Sequence, residues 1–172
     1  VYFWPRVWTL ENYREVFRDG AIIRAYRITV LRTVIGTLLS LAATAFAAFA
    51  LQQQELPGRK TILFLITFTM LFSGGLVPLY LQVRRLSLLN TLWSLILPVC
   101  ISTYNLIIMR NFFQGVPDAL YEAAVLDGAS VTTYLWRILL PLSTSAIATI
   151  TLFYAVYHWN MWFDSMLYMN KK

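Results

Sequence analysis

Residues 28–51 form a run of twenty-four positions that holds a single charge, Arg32. Wound as an α-helix, such a run reaches about 36 Å, enough to cross a hydrocarbon layer about 30 Å thick. Three more apolar stretches follow, at residues 62–81, 90–109 and 141–163. Of the 172 residues, 59% are hydrophobic and 13% are charged. A typical soluble domain carries about 25% charged residues. A water-soluble globule of this length cannot bury so much apolar surface. The sequence therefore predicts an all-α integral membrane protein, a polytopic helical bundle with four spans in one domain.

Each span carries its own marks. Six alanines (Ala42, Ala43, Ala45, Ala47, Ala48 and Ala50) crowd the second half of the first. Small residues let membrane helices approach closely, and alanine also favours the helix itself. Arg32, near the start, is expected to snorkel to the interface. Gly74-Gly75 and Pro78 weaken or bend the second span, and Pro98 interrupts the third. Tyr154, Tyr157, Trp159 and Trp162 close the fourth, as an interfacial aromatic belt would. Ahead of the spans, Thr9 can cap a short interfacial helix whose Leu10, Tyr13, Val16 and Phe17 share a face. Cys100 is the single cysteine, so no intrachain disulfide forms, and it is read as a buried, inert thiol. The chain opens at Val1 and stops at Lys171-Lys172 with no closing pattern, and is read as a fragment.

The net charge of +6 lies between apolar runs, which points to lipid headgroups and loops rather than to nucleic acid. Four spans put the 52–60 turn and the 110–140 loop on one side, with Arg59, Lys60, Arg110 and Arg137. The other side carries Arg6, Arg14, Arg18, Arg24, Arg27, Arg84, Arg85, Lys171 and Lys172. The positive-inside rule would make that richer side cytoplasmic.

The 110–140 loop is only half apolar and has structure of its own. Pro117 suits a first helical position and Asp118 the positive helix start. Gly128 suits a left-handed C-terminal cap, and Ser130 can cap a second short helix that Pro141 ends. The loop thus reads as helix, sharp turn, helix. Asp118 and Glu122, four apart, share a face with no basic residue at the right spacing. Two readings stand: a solvated acidic face, which chemistry alone favours, or a contact with a cation of another protein. Ala123, Ala124 and Gly128 are small enough to let a partner's surface come close. Among polar residues in the spans, His158, with Asn160 beside Trp159 and Trp162, can line a sugar path or simply bond to a neighbour or water at the interface; Tyr104 and Asn105 are weaker candidates.

Glu122-Ala123-Ala124, three residues, Gly128, nine residues, Ile138, one residue, Leu140-Pro141 reproduces the EAA signature of ABC importer permeases. The chain also resembles the maltose-type carbohydrate permeases along its length. Thr9-Leu10-Glu11-Asn12-Tyr13, Leu56-Pro57-Gly58-Arg59-Lys60, Leu89-Asn90-Thr91-Leu92-Trp93 and Trp159-Asn160 look like segments of that family. Phe72-Ser73-Gly74-Gly75-Leu76-Val77-Pro78-Leu79-Tyr80 and Asn105-Leu106-Ile107-Ile108-Met109-Arg110 most resemble its oligosaccharide-importing branch.

The resemblance implies the MetI-like permease fold, with four spans present of an expected six and both ends missing. It implies a multi-pass protein of the bacterial cell membrane whose 110–140 loop is cytoplasmic, against the charge count; the strict motif outweighs a statistical rule. It implies a cytoplasmic ABC ATPase dimer, a second homologous permease subunit and an extracytoplasmic solute-binding protein as partners, beside membrane lipid and without nucleic acid. The ATPase contact would use Glu122, Ala123, Ala124, Asp127, Gly128, Ile138, Leu140 and Pro141, with Glu122 meeting a basic residue and Gly128 making the turn. No Walker-type loop, cofactor, metal or catalytic residue is expected in this chain, so ATP hydrolysis falls to the partner. The alternatives are an ABC permease for a non-sugar solute and a carrier or channel working alone, which the broken second span would suit. A membrane-embedded enzyme lacks support: there is one histidine, His158, no metal cluster and no nucleophile elbow.

Overall fold

The computed structural model describes residues 11–18 and 20–169. Thr9 and Leu10 of the expected first helix, and Arg6, Lys171 and Lys172 of the charge count, lie outside the described residues, as does the side chain of Val16. Every regular element among the described residues is helical. In chain order these are α1 (Glu11–Arg18), α2 (Ala21–Gln52), α3 (Arg59–Leu71), α4 (Leu76–Arg85) and α5 (Trp93–Val99), whose last turn is 3₁₀. Then come α6 (Thr103–Gln114), α7 (Asp118–Leu126), α8 (Val131–Leu142), α9 (Thr144–Asn160) and α10 (Phe163–Tyr168).

Among the described residues only α2 is long and apolar enough to cross a bilayer alone. Three bent pairs reach that length and hydropathy together: α3 with α4 at 117°, α5 with α6 at 55°, and α8 with α9 at 83°. The breaks have local causes. Gly75, at φ 87° and ψ 176°, occupies backbone space that only glycine adopts freely, and α4 restarts behind it. Pro98 sits in the 3₁₀ turn Leu97–Val99, and Ser102 restarts the chain as α6. Pro141 has no N–H, and its ring crowds the carbonyl four residues back. The turn before it widens to a π-helix over Leu135–Leu139, with the Leu140 N–H reaching the Leu135 carbonyl.

Several boundaries move as a result. α6 continues to Gln114, so the expected loop 110–140 begins inside a helix. Pro141 does not end the second loop helix; that helix runs to Leu142 and turns at Ser143, φ −99° and ψ 24°.

The main core lies where α2, α6 and α9 meet. α2 buries Gly36, Thr37, Ser40, Thr44, Ala48 and Leu51, a stripe at three- and four-residue spacing. α9 answers with Ala146, Ile150, Tyr154 and His158, spaced by four. Small residues face large ones, so the axes come close. Of the six alanines, Ala45 and Ala48 are buried in this seam, while Ala42 and Ala50 face outward. A smaller cluster of Val83, Leu95 and Tyr168 joins α4, α5 and α10 at the opposite end from α7. There the Tyr80 and Tyr168 rings stack at 6.3 Å.

Three expectations fail on burial. Arg32 does not snorkel; it is 2% exposed and ion-paired with Asp164. Tyr154 does not belong to an outer belt, because its ring packs in the main core. Cys100 is half-buried rather than sealed.

The closest approach in the seam is Gly36 against His158. A Cβ at Gly36 would stand 2.7 Å from Nε2, 2.8 Å from Cε1 and 2.9 Å from Cδ2 of that ring. Gly36→Ala should destabilise the fold by about 1–3 kcal/mol, as overpacking does. The check is the unfolding midpoint of the purified protein in detergent; the loss should shrink when His158→Ala is added, because the two sites share one contact.

Candidate functional site

The helix–turn–helix expected in the loop forms from local signals. Pro117, φ −59° and ψ 132°, precedes α7, and Asp118 takes its first position. At the far end Gly128 adopts φ +76°. The Ala129 N–H then reaches the Ala124 carbonyl at 2.9 Å and the Gly128 N–H the Val125 carbonyl at 3.0 Å, the paired bonds of a Schellman cap. Two residues on, the Ser130 Oγ accepts from the Thr133 N–H at 3.2 Å and starts α8.

The signature residues divide by environment. Ala124 is buried, and Ile138 and Leu140 pack against the main core. Their side chains hold α7 and α8 to the bundle. Glu122, Ala123, Asp127, Gly128 and Pro141 are exposed. Helical periodicity turns Ala124 inward, so its neighbour Ala123 faces out. The T-shaped contact of Tyr121 with Tyr134, 5.0 Å between ring centres, fixes α7 against α8.

Gln52, Gln53, Gln54 and Glu55 of the α2–α3 turn face this unit across a groove of about 440 Å³. Gln114, Asp118, Tyr121, Glu122 and Tyr134 line the rest. The groove thus carries three carboxylates and no lysine or arginine. Asp118 and Glu122 form no ion pair among the described residues. The nearby cations are used elsewhere. Arg59 Nε and Arg110 Nε donate to the Leu51 carbonyl at 2.9 and 3.1 Å, satisfying the C-terminal end of α2. The Gln114 amide oxygen, in the orientation that satisfies both, accepts from Arg59 at 3.1 Å and from Arg110 at 3.0 Å. Gln52 Nε2 donates to the Phe113 carbonyl at 3.1 Å. This knot fixes the 52–60 turn against the start of the 110–140 loop, at one end of the bundle.

Sequence reasoning passed over two parts of this end. One is the Gln53–Glu55 wall; its signal was a lone acid in a polar turn on the loop's side. The other is the apolar tip beside Gly128. Leu126 is 88% exposed, with Val125 and Val131 also exposed. Apolar residues flanking a loop glycine, outside any span, were the available sign.

The four polar span residues do not come together. Tyr104 and Asn105 line a cavity of about 1070 Å³ beside the α5–α6 break, with Thr69, Ser102, Phe153 and Tyr157. Tyr154 satisfies that break: its hydroxyl lies 2.7 Å from Thr44 Oγ1 and accepts from the Ser102 N–H at 3.0 Å. His158 lies outside the cavity, buried against Gly36 with Ser40 Oγ 3.5 Å away. Asn160 is exposed and donates to the Val156 carbonyl at 2.8 Å. No metal-binding group of three or more His, Cys, Asp or Glu side chains occurs among the described residues.

No protein-family model matches the chain. It is 45% identical to the polygalacturonan/rhamnogalacturonan transport system permease protein YtcP of Bacillus subtilis, over 96% of the chain and 58% of that protein. Protein LplC of the same organism is also 45% identical, over 98% of the chain and 57% of its own length. Among solved structures, the chain superposes with a TM-score of 0.89 and 34% identity on a bacterial ABC transporter involved in the import of the acidic polysaccharide alginate. That match covers 92% of this chain and 57% of the other. The chain therefore spans a little over half the length of the relatives it matches.

Gly128→Val tests the turn. A β-branched side chain at φ +76° should cost about 1–2 kcal/mol locally. Faster amide exchange across 124–134, with exchange in α2 and α9 unchanged, would show it.

Proposed function

We propose that this chain is, over the residues it contains, part of a permease protein of an ABC sugar importer, that it forms part of one half of an oligosaccharide path, and that it receives the drive of a separate ATPase subunit through α7; the likeness to YtcP and LplC, at 45% identity each, supports this reading. It is a multi-pass segment of the bacterial cell membrane in this reading, which the length and hydropathy of α2 and of the three bent pairs support. The 110–140 loop lies on the cytoplasmic side, with the 52–60 turn beside it.

The observation that carries this reading is the exposed half of the EAA signature standing over an acidic groove. Glu122 offers a carboxylate with no ion-pair partner among the described residues, so a lysine or arginine of the ATPase can meet it. Ala123 has no bulk to keep that surface away. The exposed tip of Val125, Leu126 and Val131 supplies apolar area, the usual centre of an interface. Asp127 and Gly128 make the turn between the two helices, while Ile138 and Leu140 pack it onto the bundle and Pro141, itself exposed, leads the chain on toward α9. A pull on α7 thus reaches the bundle through packed side chains. The remaining partners are a second permease subunit across the path and a solute-binding protein outside.

On the path, Tyr104 and Asn105 offer a ring and an amide beside a helix break, a common setting for substrate sites in transporters. Asn160 contributes from the exposed end of α9. His158, wedged on Gly36, serves by holding α9 to α2. Oligosaccharide cargo is supported by the relatives, named for polygalacturonan/rhamnogalacturonan transport and for alginate import.

The test uses the full-length permease, tagged and expressed in the cells it comes from. An ATPase subunit should co-purify from membranes, and ATP-driven uptake of labelled oligogalacturonate should follow in vesicles. Glu122→Lys should abolish both while the permease still reaches the membrane. An intact full-length permease that never brings down an ATPase would overturn the proposal.

A further inference from the structure

Arg32 has no part in the scheme above. It lies in α2, twenty residues before Gln52 and so about 30 Å from the groove end. A charge inside a span is expensive and is kept where it has partners and work to do. Its guanidinium holds three acceptors from outside α2. Nη2 donates to the Leu95 carbonyl of α5 at 3.1 Å and to Asp164 Oδ2 of α10 at 3.3 Å. Nη1 donates to the carbonyl of Met161, in the break between α9 and α10. Met161, at φ −78° and ψ 92°, has left the helix, so its carbonyl has no place in the α-helical ladder. Asp164 alone would balance the charge. The two carbonyls call for a planar fork with several donors, which arginine has and lysine lacks. The attachment of α3 is different: it buries no residue at all.

Resting on the proposed function, we infer that Arg32 is a positioning residue that clamps α2, α5, α9 and α10 into one body at the end opposite the groove. A displacement entering at α7 then reaches the far end as rotation of that body, instead of being lost in sliding between its helices. α3 stays outside the clamp. Asp164 neutralises the arginine, and the two carbonyls set its geometry.

The experiment uses the full-length permease in its reconstituted importer, with Cys100→Ser and spin labels at Val34→Cys on α2 and Met166→Cys on α10, both exposed positions. Pulsed EPR reads their separation without nucleotide and with a non-hydrolysable ATP analogue. The parent should give one narrow distance, unchanged between the two states. Arg32→Gln should broaden it, and oligogalacturonate uptake per ATP hydrolysed should fall about tenfold, the scale of a coupling between distant sites. Arg32→Lys should behave like Arg32→Gln, whereas Asp164→Asn, which keeps an oxygen acceptor, should stay narrow. A parent distance that shifts between states overturns the clamp, as does Arg32→Lys matching the parent in both readouts. Should Arg32→Gln not assemble, the parent and Arg32→Lys still decide. A parent without ATP-driven uptake counts against the proposed function, not the clamp, which the distances test in either case.

Discussion

A backbone that breaks inside hydrocarbon must find partners for its freed N–H and C=O groups within the protein. This chain breaks several times, and two of the breaks are met by a side chain from another element. The α5–α6 break gives its Ser102 N–H to the Tyr154 hydroxyl, which Thr44 of α2 also holds. The α9–α10 break gives its Met161 carbonyl to Arg32. At the other end of α2, Arg59 and Arg110 share the Leu51 carbonyl. α2 takes part in all three, and it is the one helix among the described residues able to cross a bilayer alone. The α5–α6 bend is tolerable because α2 and α9 stand beside it.

That arrangement also explains the seam. A helix that must supply polar partners along its length carries Ser40, Thr44 and Arg32 on its buried face, so the packing there cannot be purely apolar. Close approach comes instead from small side chains, Gly36 above all, whose missing Cβ admits the His158 ring. Lipid tails give two helices little hydrophobic reason to associate, and fitted contacts of this kind must hold them together. At the groove end the logic reverses. Ala124, Ile138 and Leu140 fasten α7 and α8 inward, and this leaves Glu122, Ala123 and Leu126 exposed.

How far the sequence could be read depended on how local each signal was. The Gly128 turn, the Ser130 cap and the breaks at Gly75 and Pro98 rest on backbone preferences of single residues, and they stood in the sequence. The π turn before Pro141 is a response of the preceding turn to the proline ring, so only the presence of a disturbance was legible. Arg32 and Tyr154 were misread because their partners come from remote segments; a span-end arginine with no visible partner reads as snorkelling. The four-residue spacing of Ala146, Ile150, Tyr154 and His158 was a usable sign that Tyr154 faces inward. Composition gave the aromatic cluster, but only register says which way a ring points. The groove was hidden because its walls come from different stretches of chain, Glu55 from the turn and Glu122 from the loop.

The clamp has a consequence for the making of the protein. Arg32 and Asp164 are 132 residues apart in the chain. At synthesis rates of about 5–20 residues per second, Asp164 follows Arg32 from the ribosome by on the order of 10 s. For the first half of that interval α2 has reached the membrane, or waits beside it, with a guanidinium whose acceptors do not yet exist, and for the second half only the Leu95 carbonyl, 63 residues on, is there to meet it. Until α9 and α10 arrive, something other than the finished fold must keep that cation wet or covered: water at the membrane edge, lipid phosphate or the insertion machinery. The residue that holds the mature bundle together is thus also the one that makes α2 harder to insert alone than its apolar length suggests.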